Sequence, residues 1–104
     1  MVGDQIYADE LTDEMRAFIR SRRGPGDLPV EEVADYEEYT YLYKLAWHDD
    51  PAVRWLLSTV PTFTIFDDHD IRDDWNTSYA WRQEIWSQPW WRARITGGIG
   101  SYWI

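Results

Sequence analysis

The stretch Pro61-Thr62-Phe63-Thr64-Ile65-Phe66-Asp67-Asp68-His69-Asp70-Ile71-Arg72-Asp73-Asp74-Trp75-Asn76 decides how the chain is read. Its first half is a run of β-branched and aromatic residues, which predicts a buried strand over residues 60–66. The run stops at Asp67-Asp68-His69-Asp70, and Asp73-Asp74 follow closely. Carboxylates and an imidazole at the mouth of a buried strand repel one another unless cations or bulk water sit among them. On these residues alone two readings stay open. One is a site for hard cations such as Ca²⁺ or Fe³⁺, which favour oxygen-rich surroundings; the other is a solvated acidic loop.

Working outward, the chain has 104 residues, enough for one domain at most. Eight Trp, seven Tyr and three Phe supply ample apolar surface for a core. With no cysteine, neither a disulfide nor a thiolate ligand or nucleophile is available. A net charge of −9 argues against nucleic acid or anionic membrane as a stable partner. It also repels phosphate esters unless bound cations reverse the local sign. No apolar run is long enough to predict a membrane span, and no signal peptide is visible, so the chain as given reads as cytoplasmic.

Residues 1–2 read as the end of a strand that leads into Gly3-Asp4-Gln5-Ile6-Tyr7-Ala8-Asp9. A helical turn there would put Asp4 and Tyr7 on one face; the alternative is that Asp4 caps a helix while Tyr7 packs. Residues 12–22 predict a helix capped by Thr12 or Asp13, with Met15, Phe18 and Ile19 turned inward. Arg16, Arg20, Arg22 and Arg23 read as a solvated helix end rather than a phosphate clamp. A long helix is expected over 30–48, ending at His48. Asp50 and Pro51 then start another, with Val53, Leu56, Leu57 and Val60 facing inward until Pro61 stops it. Thr77 or Ser78 caps a further helix, and Pro89 opens the last. Gly97-Gly98-Ile99-Gly100 lacks the Lys-Ser/Thr of a phosphate-binding loop.

Two motifs thus stand in order: Gly3-Asp4-Gln5-Ile6-Tyr7 and Phe66-Asp67-Asp68-His69-Asp70. With Glu38-Tyr39, Pro61 and Asp73-Asp74-Trp75-Asn76, they make the chain resemble the PhoD-like metallophosphoesterases, the alkaline phosphatase D family, over nearly all its length. The resemblance implies an α/β fold: a fragment of a two-sheet sandwich, mostly helical over this segment, with one clear strand near 60–66. It also implies hydrolysis of phosphate mono- and diesters with Fe³⁺ and Ca²⁺, through a metal-bound hydroxide. Asp4 matches the carboxylate that bridges the metals, Tyr7 the tyrosine on iron, and Asp68 a position where relatives carry a metal-binding Asn. His69 matches the catalytic histidine, and the neighbouring Asp70 is expected to fix its orientation.

The chemistry of these residue types is consistent with such roles. A phenol becomes a ligand only beside a strongly acidic cation, and a bridging carboxylate holds two ions roughly 3.5–4 Å apart. A positioned imidazole stabilises phosphoryl charge or protonates a leaving alkoxide.

The family's further ligand motifs upstream and downstream have no counterpart here. The chain is therefore expected to be residues 1–104 of a partial PhoD-like domain truncated at both ends, the remainder of that domain being its missing partner. On this reading an export signal could precede it, the isolated piece could be inactive, and apolar patches should lie exposed along residues 81–103. The alternative function is a non-catalytic acidic Ca²⁺-binding or interaction module, which has no need of a phenolate at Tyr7.

Overall fold

A computed structural model describes residues 5–73, 75 and 78–103. The expected strand stub at Met1 and Val2, and the positions of Asp4, Asp74, Asn76 and Thr77, lie outside the described residues. Five α-helices are described: α1 (Asp13–Arg22), α2 (Tyr36–Tyr43), α3 (Pro51–Thr59), α4 (Tyr79–Trp86) and α5 (Trp91–Trp103). No helix among the described residues is long and apolar enough to cross a membrane.

The α/β expectation is overturned. Among the described residues there is no strand and no sheet, and β-type pairing is confined to the single residue Ile65. Residues 61–64 are in neither helix nor strand. Phe63 is 86% exposed and Ile65 57% exposed, so the predicted strand is not buried. The physical reason is that β-branched and aromatic side chains only favour a pleated, half-buried surface. Extended backbone becomes a strand when a neighbour supplies ladder hydrogen bonds, and Pro61 has no N–H to offer one.

Helices, by contrast, are started by local chemistry. Thr12 accepts from the Met15 N–H, Asp50 from the Ala52 and Val53 N–H groups, and Ser78 caps α4. The helix expected over 30–48 begins only at Tyr36, because Asp35 accepts from the Glu38 N–H and caps there. Its end widens into a π-helical turn, Lys44–His48. Nothing in α3 is buried, contrary to the inward face expected for it: Leu56 and Val60 are exposed, as is Trp55.

The core joins Met15 and Ile19 of α1, Tyr39 and Leu42 of α2, Ile71, Ile85 and Trp91. Trp91 is fully buried, with the rings of Trp75, Trp81, Trp86 and Trp90 around it at centroid distances of 6.0–6.5 Å. Exposed apolar side chains occur in residues 81–103, at Trp86, Ile99 and Trp103, but also across 55–65.

Helix α5 packs along α2, and glycine makes the approach possible. A Cβ on Gly97 would lie 2.6 Å from the Tyr36 nitrogen; one on Gly98 would lie 2.1 Å from Ile71 Cδ1 and 2.9 Å from Tyr39 Cζ. The glycine-rich stretch is thus a helix–helix contact. The arginine cluster proves partly internal: Arg23 grips the buried Glu38 with two nitrogens, and that carboxylate also accepts from the Ala34 N–H at 2.7 Å. Hydrogen bonding to Glu38 raises the Arg23 pKa.

Candidate active site

Two loops converge above the α2–α5 pair: residues 5–10 and residues 67–73. Neither is helical in the regular sense; the first is a set of turns, and the second contains only the 3₁₀ turn Asp68–Asp70. Among the described residues, three hydrogen bonds donated by backbone N–H groups tie them together. The Ala8 N–H donates to the His69 carbonyl at 3.0 Å. The Ile6 N–H donates to Asp70 Oδ1 at 2.9 Å. The Asp73 N–H donates to Asp9 Oδ2 at 2.7 Å.

His69 lies at the centre, its side chain 24% exposed. Its Nδ1 is 3.2 Å from Asp9 Oδ1. An ionised carboxylate only accepts, so this contact places the hydrogen on Nδ1. Nε2 turns toward Asp73, 3.6 Å from its Oδ1. The Tyr7 ring stands against the imidazole, centroids 5.0 Å apart and tilted by 48°. Asp68 flanks His69, accepting from the His69 backbone N–H at 3.1 Å.

The expected roles map onto this geometry unevenly. Tyr7 and Asp68 each lie against His69, while Asp4 lies outside the described residues. Asp70 is not seen orienting the imidazole: it is buried, and its two oxygens accept from the Ile6 and Asp67 N–H groups. That duty falls to Asp9, in the other loop. Asp9 stands two residues past the first motif and was given no role there, since its pairing with His69 depends on a contact spanning 60 residues. Asp73 was visible only as one more acid in the run.

One oxygen each of Asp68 and Asp73 and one nitrogen of His69 lie within 4.8 Å of one another, close enough to share an ion. The donors here are carboxylate oxygens, an imidazole and a neighbouring phenol, with no thiolate. That set fits hard or borderline cations. The concentration of negative charge fits them too, since several acids crowd one exposed loop end.

Beneath the site lies Arg94 of α5, fully buried. Its Nη2 and Nε donate to the Ile71 carbonyl at 2.7 and 3.2 Å, Nη2 reaches the Ala8 carbonyl at 3.4 Å, and Nη1 donates to Glu32 at 2.9 Å. No sequence signal marked this arginine among the tryptophans. Burial pushes the nearby Tyr39 phenol up to about 12, opposed in part by the Arg94 charge. Burial raises the Tyr43 phenol as well.

The family model for PhoD-like phosphatase matches residues 1–97. The chain belongs to the PhoD-like phosphatase family. The match takes in both loops of the candidate site. Comparison with curated proteins and with solved structures returned no match.

Proposed function

We propose that this chain carries part of a hydrolytic site for phosphate esters, with His69 as its catalytic group. The observation that carries the reading is the imidazole held by Asp9 across two loops, beside Tyr7 and the Asp68–Asp73 carboxylates, in a chain of the PhoD-like phosphatase family. Asp9 holds the ring so that Nε2 faces the acidic mouth of the site. As an imidazolium, with Asp9 balancing its charge at Nδ1, the ring donates from Nε2 to a phosphoryl oxygen or hands that proton to the departing alkoxide.

Asp4, Tyr7 and Asp68 are the proposed holders of Fe³⁺ and Ca²⁺, with Asp73 placed to join them. When bound, such cations neutralise phosphoryl charge and make water a nucleophile at neutral pH. Tyr7 contributes a hard phenolic oxygen and shields one face of the imidazole. Calcium alone takes 6–8 oxygens, waters included, so these side chains shared between two ions would leave places for water or further groups.

The test is hydrolysis of p-nitrophenyl phosphate and bis(p-nitrophenyl) phosphate by the chain supplied with Fe³⁺ and Ca²⁺. Metal-dependent nitrophenolate release that disappears in His69→Ala is the expected result. Calcium binding by calorimetry without release of nitrophenolate, both in this chain and in a longer protein that contains it, would overturn the reading and favour an acidic Ca²⁺-binding module.

A further inference from the structure

We infer that Arg94 is a positioning residue that sets the spacing between the two site loops from below. The loops are far apart in sequence; the Asp73–Asp9 bond between them is exposed, whereas the Ile6–Asp70 bond and the fully buried Ala8 lie beneath it. Ala8 is held from both sides: its N–H goes to the His69 carbonyl at 3.0 Å, and its own carbonyl accepts from Arg94 Nη2 at 3.4 Å. Ile71, two residues beyond His69, accepts from Nε and Nη2 of the same guanidinium at 3.2 and 2.7 Å. One rigid, planar group therefore bridges the carbonyl beside Asp9 and the carbonyl between His69 and Asp73.

The remaining nitrogen, Nη1, is anchored by Glu32 at 2.9 Å, which fixes the plane of the fork. Glu32 also receives Arg72 at 3.5 Å, so the anchor ties back to the acidic loop. A lysine cannot reproduce this arrangement: its ammonium is a single point on a flexible stem, and it cannot address two carbonyls and a carboxylate in one plane. The Asp9–His69 separation, and with it the direction of Nε2, follows from the spacing that the guanidinium imposes.

Only the kinetic arm of the test rests on the hydrolytic reading of the site. Arg94→Lys keeps the charge and loses the fork. Amide hydrogen exchange of the full chain is expected to show the Ala8 N–H exchanging at least about tenfold faster, with the amides of α1 unchanged. If the wild-type chain turns over p-nitrophenyl phosphate, kcat should fall by about 10–100-fold with KM within about twofold, as expected for a group that orients rather than binds. Unchanged Ala8 protection, or acceleration of all amides together, overturns the inference.

A second variant decides the matter if Arg94→Lys does not fold. Glu32→Gln weakens the anchor while leaving the carbonyl bonds, so Ala8 protection should stay at the wild-type level even where global stability drops. Loss of Ala8 protection in step with global stability overturns the clamp. A wild-type chain without turnover bears on the hydrolytic reading alone, and Ala8 exchange still decides this one.

Discussion

Nδ1 of His69 lies 3.2 Å from Oδ1 of Asp9, and the other oxygen of the same carboxylate takes the Asp73 N–H at 2.7 Å. One side chain thus orients the imidazole and also fixes the backbone that carries a neighbouring acid.

Asp9→Ala should therefore lower turnover by about 10–100-fold, the usual cost of removing a group that orients a functional side chain. Metal content, measured by elemental analysis, should change less than turnover does. Unaltered turnover in this variant would show that the Asp9 contact has no part in catalysis.

His69→Ala and Tyr7→Phe separate the imidazole from the phenol. With His69 as acid or base, its removal should cut turnover by roughly 10²–10⁴ and leave bound metal nearly intact. Tyr7→Phe should lose iron and any charge-transfer absorption while retaining calcium. Metal loss in His69→Ala would instead make His69 a ligand alongside Asp68 and Asp73, whose donor atoms lie within 4.8 Å of one another.

Gly97→Ala should destabilise the chain although alanine is the better helix former. The propensity gain is about 1 kcal/mol. The added Cβ would meet the Tyr36 nitrogen at 2.6 Å and the Asp35 carbonyl carbon at 2.8 Å, backbone atoms that cannot swing aside. Overpacking of this kind costs about 1–3 kcal/mol, so the urea midpoint should fall. Gly98→Ala meets side-chain atoms of Ile71 and Tyr39 and is expected to cost less.

Tyr39 gives the fold an alkaline limit. Its phenol is pushed up to about 12 in the native chain by burial, from an ordinary value of 10.0. A raised native value means that stability is full below pH 10 and is lost as pH climbs toward 12, by about 2–3 kcal/mol from this group. Tyr39→Phe should flatten that decline in denaturant titrations. At pH 7 it should change stability little, because the Arg94 guanidinium lies near the buried hydroxyl without a hydrogen bond of normal geometry between them. An alkaline decline that survives in Tyr39→Phe would assign it to other groups.

The sequence by itself determined what is local. Thr12, Asp50 and Ser78 accept hydrogen bonds from N–H groups two or three residues away, so α1, α3 and α4 start where their caps stand. The two motifs, and with them Tyr7, Asp68, His69 and the family, were likewise legible, because each is a short run of distinctive residue types. Tertiary structure decided the rest. Whether Thr62-Phe63-Thr64 became a strand depended on a neighbouring ladder, and among the described residues it forms no strand. Whether Gly97-Gly98 served a phosphate or a helix depended on α2 lying against it. Asp9 and Arg94 acquired their roles only when the loops met, since a hydrogen bond across 60 or 86 residues leaves no trace in local pattern.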